Sequence, residues 1–291
     1  MELRKIFIYS LLILMALVSC KRKADVPDIQ ETYCENDVQI IGSPSFEDEE
    51  NQNDSIIIVS DETSNSESLE IPRITNSVSS QILVRKGYTT SYNKDTKNPN
   101  WVAWHLTAEH ADGPYERSND FYEDEEVEAP RATLADYRRS GWSRGHMCPA
   151  GDNKWDEVAM HESFSLINIC PQDTRLNSGL WNSIEMNCRT WARRYGDIYI
   201  VCGPVYLNRE HETIGDNRVV VPEAFFKVVL CLNGTPKAFG IVVRNNSGQK
   251  KRDLYYNSVD EVERITGIDF FHNLPDDIEN EVEATANIEE W

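Results

Sequence analysis

The chain has 291 residues, 40% of them hydrophobic, which suffices for one large or two small domains and excludes a wholly disordered protein. Its formal net charge is −20; spread evenly, that charge would exclude a nucleic-acid partner, because phosphate binding needs cations. The distribution weakens the objection: residues 21–80 carry 14 acidic and 4 basic side chains, residues 273–291 carry 7 acidic and none basic, and residues 81–272 keep a net charge of −4.

At the N-terminus Arg4 and Lys5 precede an apolar run, Ile6 to Val18, too short to span a bilayer comfortably, which is the pattern of an export signal. The next residues, Leu17-Val18-Ser19-Cys20, resemble a bacterial lipobox. Residues 1–20 are then a lipoprotein signal peptide and Cys20 is the lipidated residue; a plain cleaved signal peptide is the alternative. Several acyl chains on Cys20 would hold the protein on a membrane stably, whereas one chain is marginal at about 0.8 kcal/mol per buried methylene. The expected location is the bacterial cell envelope, at the outer membrane, the periplasmic face or the cell surface, with the leaflet left open. Residues 21–80, rich in Asp, Glu, Ser and Asn, are expected to be a largely disordered stalk, with Ile56 to Val59 its one strand-like run.

The structured part is expected from about Ile82, as one domain over 81–275 with an acidic tail over 276–291. Trp101 to Thr107 is strand-like. Trp155 to Glu162 suits a short helix that Asp152 or Asn153 could cap, and Ser165 to Ile169 another strand. From Asn177 to Tyr195 the pattern predicts the clearest helix, with Leu180, Ile184, Cys188 and Trp191 on one face and Gly196 as its stop. Ile198 to Val201, Ala224 to Leu232 and Ala238 to Val243 are strand-like, the last two joined by an Asn233-Gly234 turn. Ser258 to Ile265 suits a helix with Ser258 as N-cap, Glu261 completing a capping box and Gly267 beyond its end. This order suggests an α+β fold, a single domain.

Besides Cys20, six cysteines remain: Cys34, Cys148, Cys170, Cys188, Cys202 and Cys231. An exported chain permits disulfides, and spacing does not choose among the pairings. No Cys-x-x-Cys pair is present, which speaks against structural zinc.

The unusual residues gather in Ser143-Arg144-Gly145-His146, Asn168-Ile169-Cys170-Pro171-Gln172, and Leu176-Asn177-x-x-x-Trp181-x-x-x-Glu185. Hydrolysis of a phosphodiester needs a base for water, a divalent cation for the phosphate and leaving oxygen, and cations for the charge of the transition state. His146 suits the base, since neutral imidazole accepts a proton near pH 7. Arg144 can hold a phosphate oxygen. Asn177 and Glu185 lie about 12 Å apart along one helical row, too far for both to touch one ion. Magnesium needs only one or two protein oxygens, so Asn177 can be the direct ligand and Glu185 can grip a metal-bound water. Each alone has a plainer reading: Arg-Gly-His is an ordinary loop, Asn177 a helix cap and Glu185 a surface carboxylate. Basic groups at Arg138/Arg139, Arg189/Arg193/Arg194 and Lys250/Lys251/Arg252 could line a cleft.

Taken jointly, these segments resemble the DNA/RNA non-specific endonucleases with a ββα-metal finger. Ser143 to His146 is similar to that family's Asp-Arg-Gly-His, Asn168 to Gln172 to its Asn-x-x-Pro-Gln, and Leu176 to Glu185 to its Leu-Asn-x-x-x-Trp-x-x-x-Glu. Asn100 to His105, Glu116-Arg117-Ser118 and Ile198 to Pro204 also look like family segments. The resemblance implies a central antiparallel sheet flanked by helices, carrying a ββα-metal finger active site. It implies magnesium-dependent cleavage of DNA and RNA to 5′-phosphate ends, with manganese able to substitute and a homodimer among the expected states. His146 would be the base, Asn177 the metal ligand, Arg117 and Arg144 the transition-state cations, Glu185 a further catalytic group and Asn168 a substrate contact. Ser143 stands where the family usually has Asp. The alternative is therefore a catalytically impaired, nucleic-acid-binding envelope lipoprotein. A phosphodiesterase acting on small diesters and an adhesin whose acidic stalk is the working part are the other readings.

Overall fold

Strands form where β-branched and aromatic residues predominate, because those side chains pack well on a pleated surface. In chain order they are β1 (Arg73–Ile74), β2 (Gln81–Val84), β3 (Thr89–Asn93), β4 (Asn98–Thr107), β5 (Ser143–His146), β6 (Ile169–Gln172) and β7 (Asp197–Val205). They continue with β8 (Thr213–Ile214), β9 (Val219–Val220), β10 (Ala224–Cys231), β11 (Lys237–Arg244), β12 (Tyr256–Asn257) and β13 (Ile268–Asp269). The helices are α1 (Leu134–Tyr137), α2 (Glu157–Glu162), α3 (Thr174–Leu176), α4 (Asn182–Tyr195), α5 (Val259–Thr266) and α6 (Asp276–Glu283). A π turn, Asn177–Trp181, joins α3 to α4. The structure is a computed structural model and describes residues 68–248 and 255–291. The signal peptide with Cys20, Cys34, Ile56 to Val59 and Lys250 to Arg252 lie outside the described residues.

Seven strands make one antiparallel sheet in the order β12-β11-β10-β7-β4-β3-β2, as the α+β reading expects. The alternation of side chains along β10 assigns its two faces. Phe225 meets Trp181 of the π turn, with ring centroids 5.6 Å apart, and α4 lies on this face with Ile184, Cys188 and Trp191 buried against the sheet. Phe226 faces the other way and meets Phe270 at 5.4 Å. There α5 packs so closely over β11 that a Cβ at Gly240 would stand 2.2 Å from Val262, so the position takes no side chain. A separate two-stranded ladder, β5 with β6, projects the strand that ends in His146. With the helical segment that follows, it forms the ββα unit.

Several predicted elements move. Helix α2 is capped by Asp156, which accepts from the backbone N–H groups of Val158 and Ala159, and not by Asp152 or Asn153. Asp152 is instead buried, accepting from Trp104 Nε1 and Arg189 Nη1 at 3.1 and 2.7 Å. The expected strand Ser165 to Ile169 is a 3₁₀ turn over Leu166–Asn168, and pairing begins only at Ile169, opposite His146. The single helix expected from Asn177 is interrupted by the π turn, which widens the backbone before α4 and shifts Asn177 off the ideal four-residue row with Glu185. The capping box expected at α5 is half realised: Ser258 accepts from Glu261 N–H at 3.2 Å, while the Glu261 carboxylate turns to Arg264.

The ordered fold also exceeds 81–275. β1 lies within the span assigned to the stalk and pairs with β13, and the acidic tail contains α6. Trp291 packs its ring on Trp191 and Phe239, at 5.1 and 4.8 Å. Apolar contact, which charge counting over 276–291 does not register, holds the tail down. Among the described residues, no helix is long and apolar enough to cross a membrane.

Candidate active site

The ladder of β5 and β6 sets Ser143 opposite Gln172 and His146 opposite Ile169. Gly145 is required there, because a Cβ would stand 2.2 Å from the Gln172 side chain. One strand thus carries Ser143, Arg144 and His146, with successive side chains on alternate sides.

His146 is 6% exposed, and its Nε2 is buried with no hydrogen-bond partner. Its ring meets Phe121 at 5.3 Å and the edge of Phe164 at 5.0 Å. The same two rings carry the arginines. The Arg144 guanidinium lies 4.1 Å from the Phe121 centroid and that of Arg117 5.4 Å from the Phe164 centroid, a distance range in which a cation is attracted to a ring face. Both arginines are exposed. They line an open groove of about 520 Å³ together with Phe121, Arg138, Trp142 and Ser143.

Burial, followed by the charges of Arg117 and Arg144, lowers the His146 pKa to about 3. The imidazole is therefore neutral across the physiological range and, in the protein alone, a weak base. An incoming phosphate would offset both arginine charges, raising the proton affinity of the ring when a substrate is present.

Asn177 is partly buried in the π turn, and its Nδ2 donates to Ser143 Oγ at 3.2 Å. The serine hydroxyl itself donates to the Gln172 carbonyl at 2.7 Å. This chain of bonds turns the Asn177 amide so that Oδ1, which accepts from none of the described residues, remains available. A hard divalent cation binds carbonyl oxygens of this kind, so the residues present fit the magnesium that the sequence reading expects.

Glu185 lies on α4, partly buried. Burial pushes its carboxyl up to about 7, opposed mainly by the Lys227 ammonium, while Asp152 adds to the rise. Lys227 is fully buried, 4.8 Å from the Trp104 ring centroid and 5.0 Å from that of Trp181. Lys227 and the two phenylalanines escape the sequence reading. The visible signal for Lys227 is a lysine in the middle of the run Ala-Phe-Phe-Lys-Val-Val-Leu-Cys; for Phe121 and Phe164 there is none.

Asn168 is placed differently from the substrate contact expected of it. It is fully buried; its Oδ1 accepts from Cys148 N–H at 2.9 Å, and its Nδ2 donates to the carbonyls of Cys148 and Ser163 at 2.8 and 2.9 Å. With those bonds made, its amide clamps the loop behind His146. The five described cysteines, Cys148 included, are buried free thiols.

Residues 65–277 match the family model described as DNA/RNA non-specific endonuclease. The chain is 35% identical over 205 residues to the human mitochondrial nuclease EXOG, covering 64% of this chain and 56% of that protein. It is 34% identical over 209 residues to bovine mitochondrial endonuclease G, covering 67% of this chain and 70% of that protein. The baker's yeast (Saccharomyces cerevisiae) mitochondrial nuclease is 33% identical over 215 residues, covering 66% of this chain and 65% of that protein. A crystal structure of an EndoG/EndoGI complex superposes with a TM-score of 0.62 at 30% identity, covering 67% of this chain and 86% of the other.

Proposed function

The chain belongs to the DNA/RNA non-specific endonuclease family, and from that premise we propose that it hydrolyses phosphodiester bonds in DNA and RNA, leaving 5′-phosphate ends. The observation that carries this reading is the convergence of the unpartnered His146 imidazole with Arg117 and Arg144 across one pair of phenylalanine rings.

His146 takes the proton of the attacking water, and Arg117 and Arg144 hold the phosphate and the charge that builds on it. Asn177, oriented by Ser143, would hold a magnesium ion, for which manganese can substitute, and Glu185 would grip one of its waters. When bound, the ion supplies Lewis-acid stabilisation of the leaving oxygen. The reading includes anchoring at a bacterial envelope membrane through Cys20, supported by the Leu17 to Cys20 pattern alone.

The test is cleavage of plasmid DNA and of RNA by the full chain, with magnesium and with EDTA, beside His146→Ala. Metal-dependent loss of both polymers, abolished in the variant by about 10²-fold or more, supports the assignment. A wild type that binds DNA but leaves it intact would favour the binding-only alternative.

A further inference from the structure

On the sheet face opposite α4, helices α5 and α6 bring three carboxylates together. Asp260 and Glu263 stand three residues apart on α5 and so share a side of it, and Glu283 is the last residue of α6. One carboxylate oxygen from each lies within 4.8 Å of the other two.

The buried member of this group lacks a partner. Glu283 is 5% exposed, and its Oε1 is buried without a hydrogen bond. Glu263 commits one oxygen to the backbone N–H of Phe270 at 2.7 Å, leaving the other free for a ligand. The charges that act most on Glu283 are all of its own sign: Glu263, Glu279, Asp260 and Asp269. Among the described basic side chains, Arg264 of α5 is engaged with Glu261 and Arg73 of β1 with Asp269. A buried carboxylate oxygen facing like charges is costly without a counter-charge, and a cation shared by all three groups removes the cost.

We propose that Asp260, Glu263 and Glu283 bind a calcium ion that staples α6 to α5. The ligands are oxygen only, and they grade from the buried Glu283 to the exposed Asp260, which leaves one side open to water. Calcium accepts six to eight oxygens in flexible geometry, whereas magnesium demands a near-ideal octahedron and sheds water reluctantly. The ion would fasten a segment, 276–291, that has seven acidic side chains and no lysine or arginine. This site stands independently of the nuclease reading.

The experiment follows the thermal unfolding midpoint of the full chain at neutral pH in EDTA, in calcium and in magnesium, for wild type, Glu283→Gln and Asn177→Ala. Calcium at about 100 times its dissociation constant should raise the wild-type midpoint by about 5–10 °C. The same rise should appear in Asn177→Ala and vanish in Glu283→Gln, whose own cooperative unfolding transition in EDTA shows that it folds. A wild-type midpoint unmoved by calcium overturns the proposal. So does a shift that survives in Glu283→Gln and disappears in Asn177→Ala, because the ion would then sit at the nuclease centre. An equal shift with magnesium overturns the choice of calcium.

Discussion

Ser143 Oγ accepts the Asn177 Nδ2 hydrogen at 3.2 Å while giving its own proton to the Gln172 carbonyl at 2.7 Å. The residue that departs from the family pattern is therefore the one that orients the expected metal ligand. Ser143→Ala removes the acceptor and frees the amide to rotate. Groups behind a metal ligand typically contribute 10- to 100-fold in affinity. The expected result is a magnesium requirement raised by at least about tenfold, with the rate at saturating metal changed much less. An unchanged magnesium titration would remove Ser143 from this role.

His146 links the site to stability. Its pKa is near 3 in the fold and 6.5 in an ordinary setting, chiefly because of burial. Between those values the unfolded chain binds a proton that the native chain lacks, so stability rises with pH across the window and is lost as pH falls through it. Denaturant unfolding between pH 6.5 and 3 should show this slope. His146→Gln should flatten it by up to about 1.4 kcal/mol per pH unit; identical slopes in the two proteins would refute the linkage.

Lys227 acts on Glu185 from inside the core. Its ammonium is the main influence holding the Glu185 carboxyl down against burial. Lys227→Met keeps the bulk between Trp104 and Trp181 and removes the charge, so the Glu185 pKa should climb above about 7. From a starting value of about 7, a one-unit rise weakens magnesium half-saturation at pH 7 roughly fivefold, with recovery at higher pH. If the variant folds and its magnesium titration has the wild-type pH dependence, the two groups are uncoupled.

Asn168 should behave as a clamp. Losing three hydrogen bonds to backbone groups in a buried loop costs about 2–4 kcal/mol, so Asn168→Ala should lower the unfolding free energy by that amount. Below the new transition, KM for DNA should stay near wild type. A large KM effect with unchanged stability would restore the substrate-contact reading.

Residue type and spacing along the chain were enough to disclose the antiparallel hairpin of β10 and β11 and the apolar stripe of α4, and to single out His146 and Asn177 as candidates. Those signals are local: side-chain period, turn chemistry and short motifs are all written in neighbouring residues. Tertiary structure alone decided that Phe121 and Phe164 gather two arginines around His146, that the buried Lys227 charge acts on Glu185, and that the Asn168 amide is bonded within its own loop. Each of these depends on which elements pack together across long stretches of chain. The same reason separates the acidic tail as a count of charges from the tail as a helix, fastened by Trp291 and placing Glu283 beside Asp260 and Glu263. Composition records how many carboxylates a chain has, and only packing determines which of them are buried together.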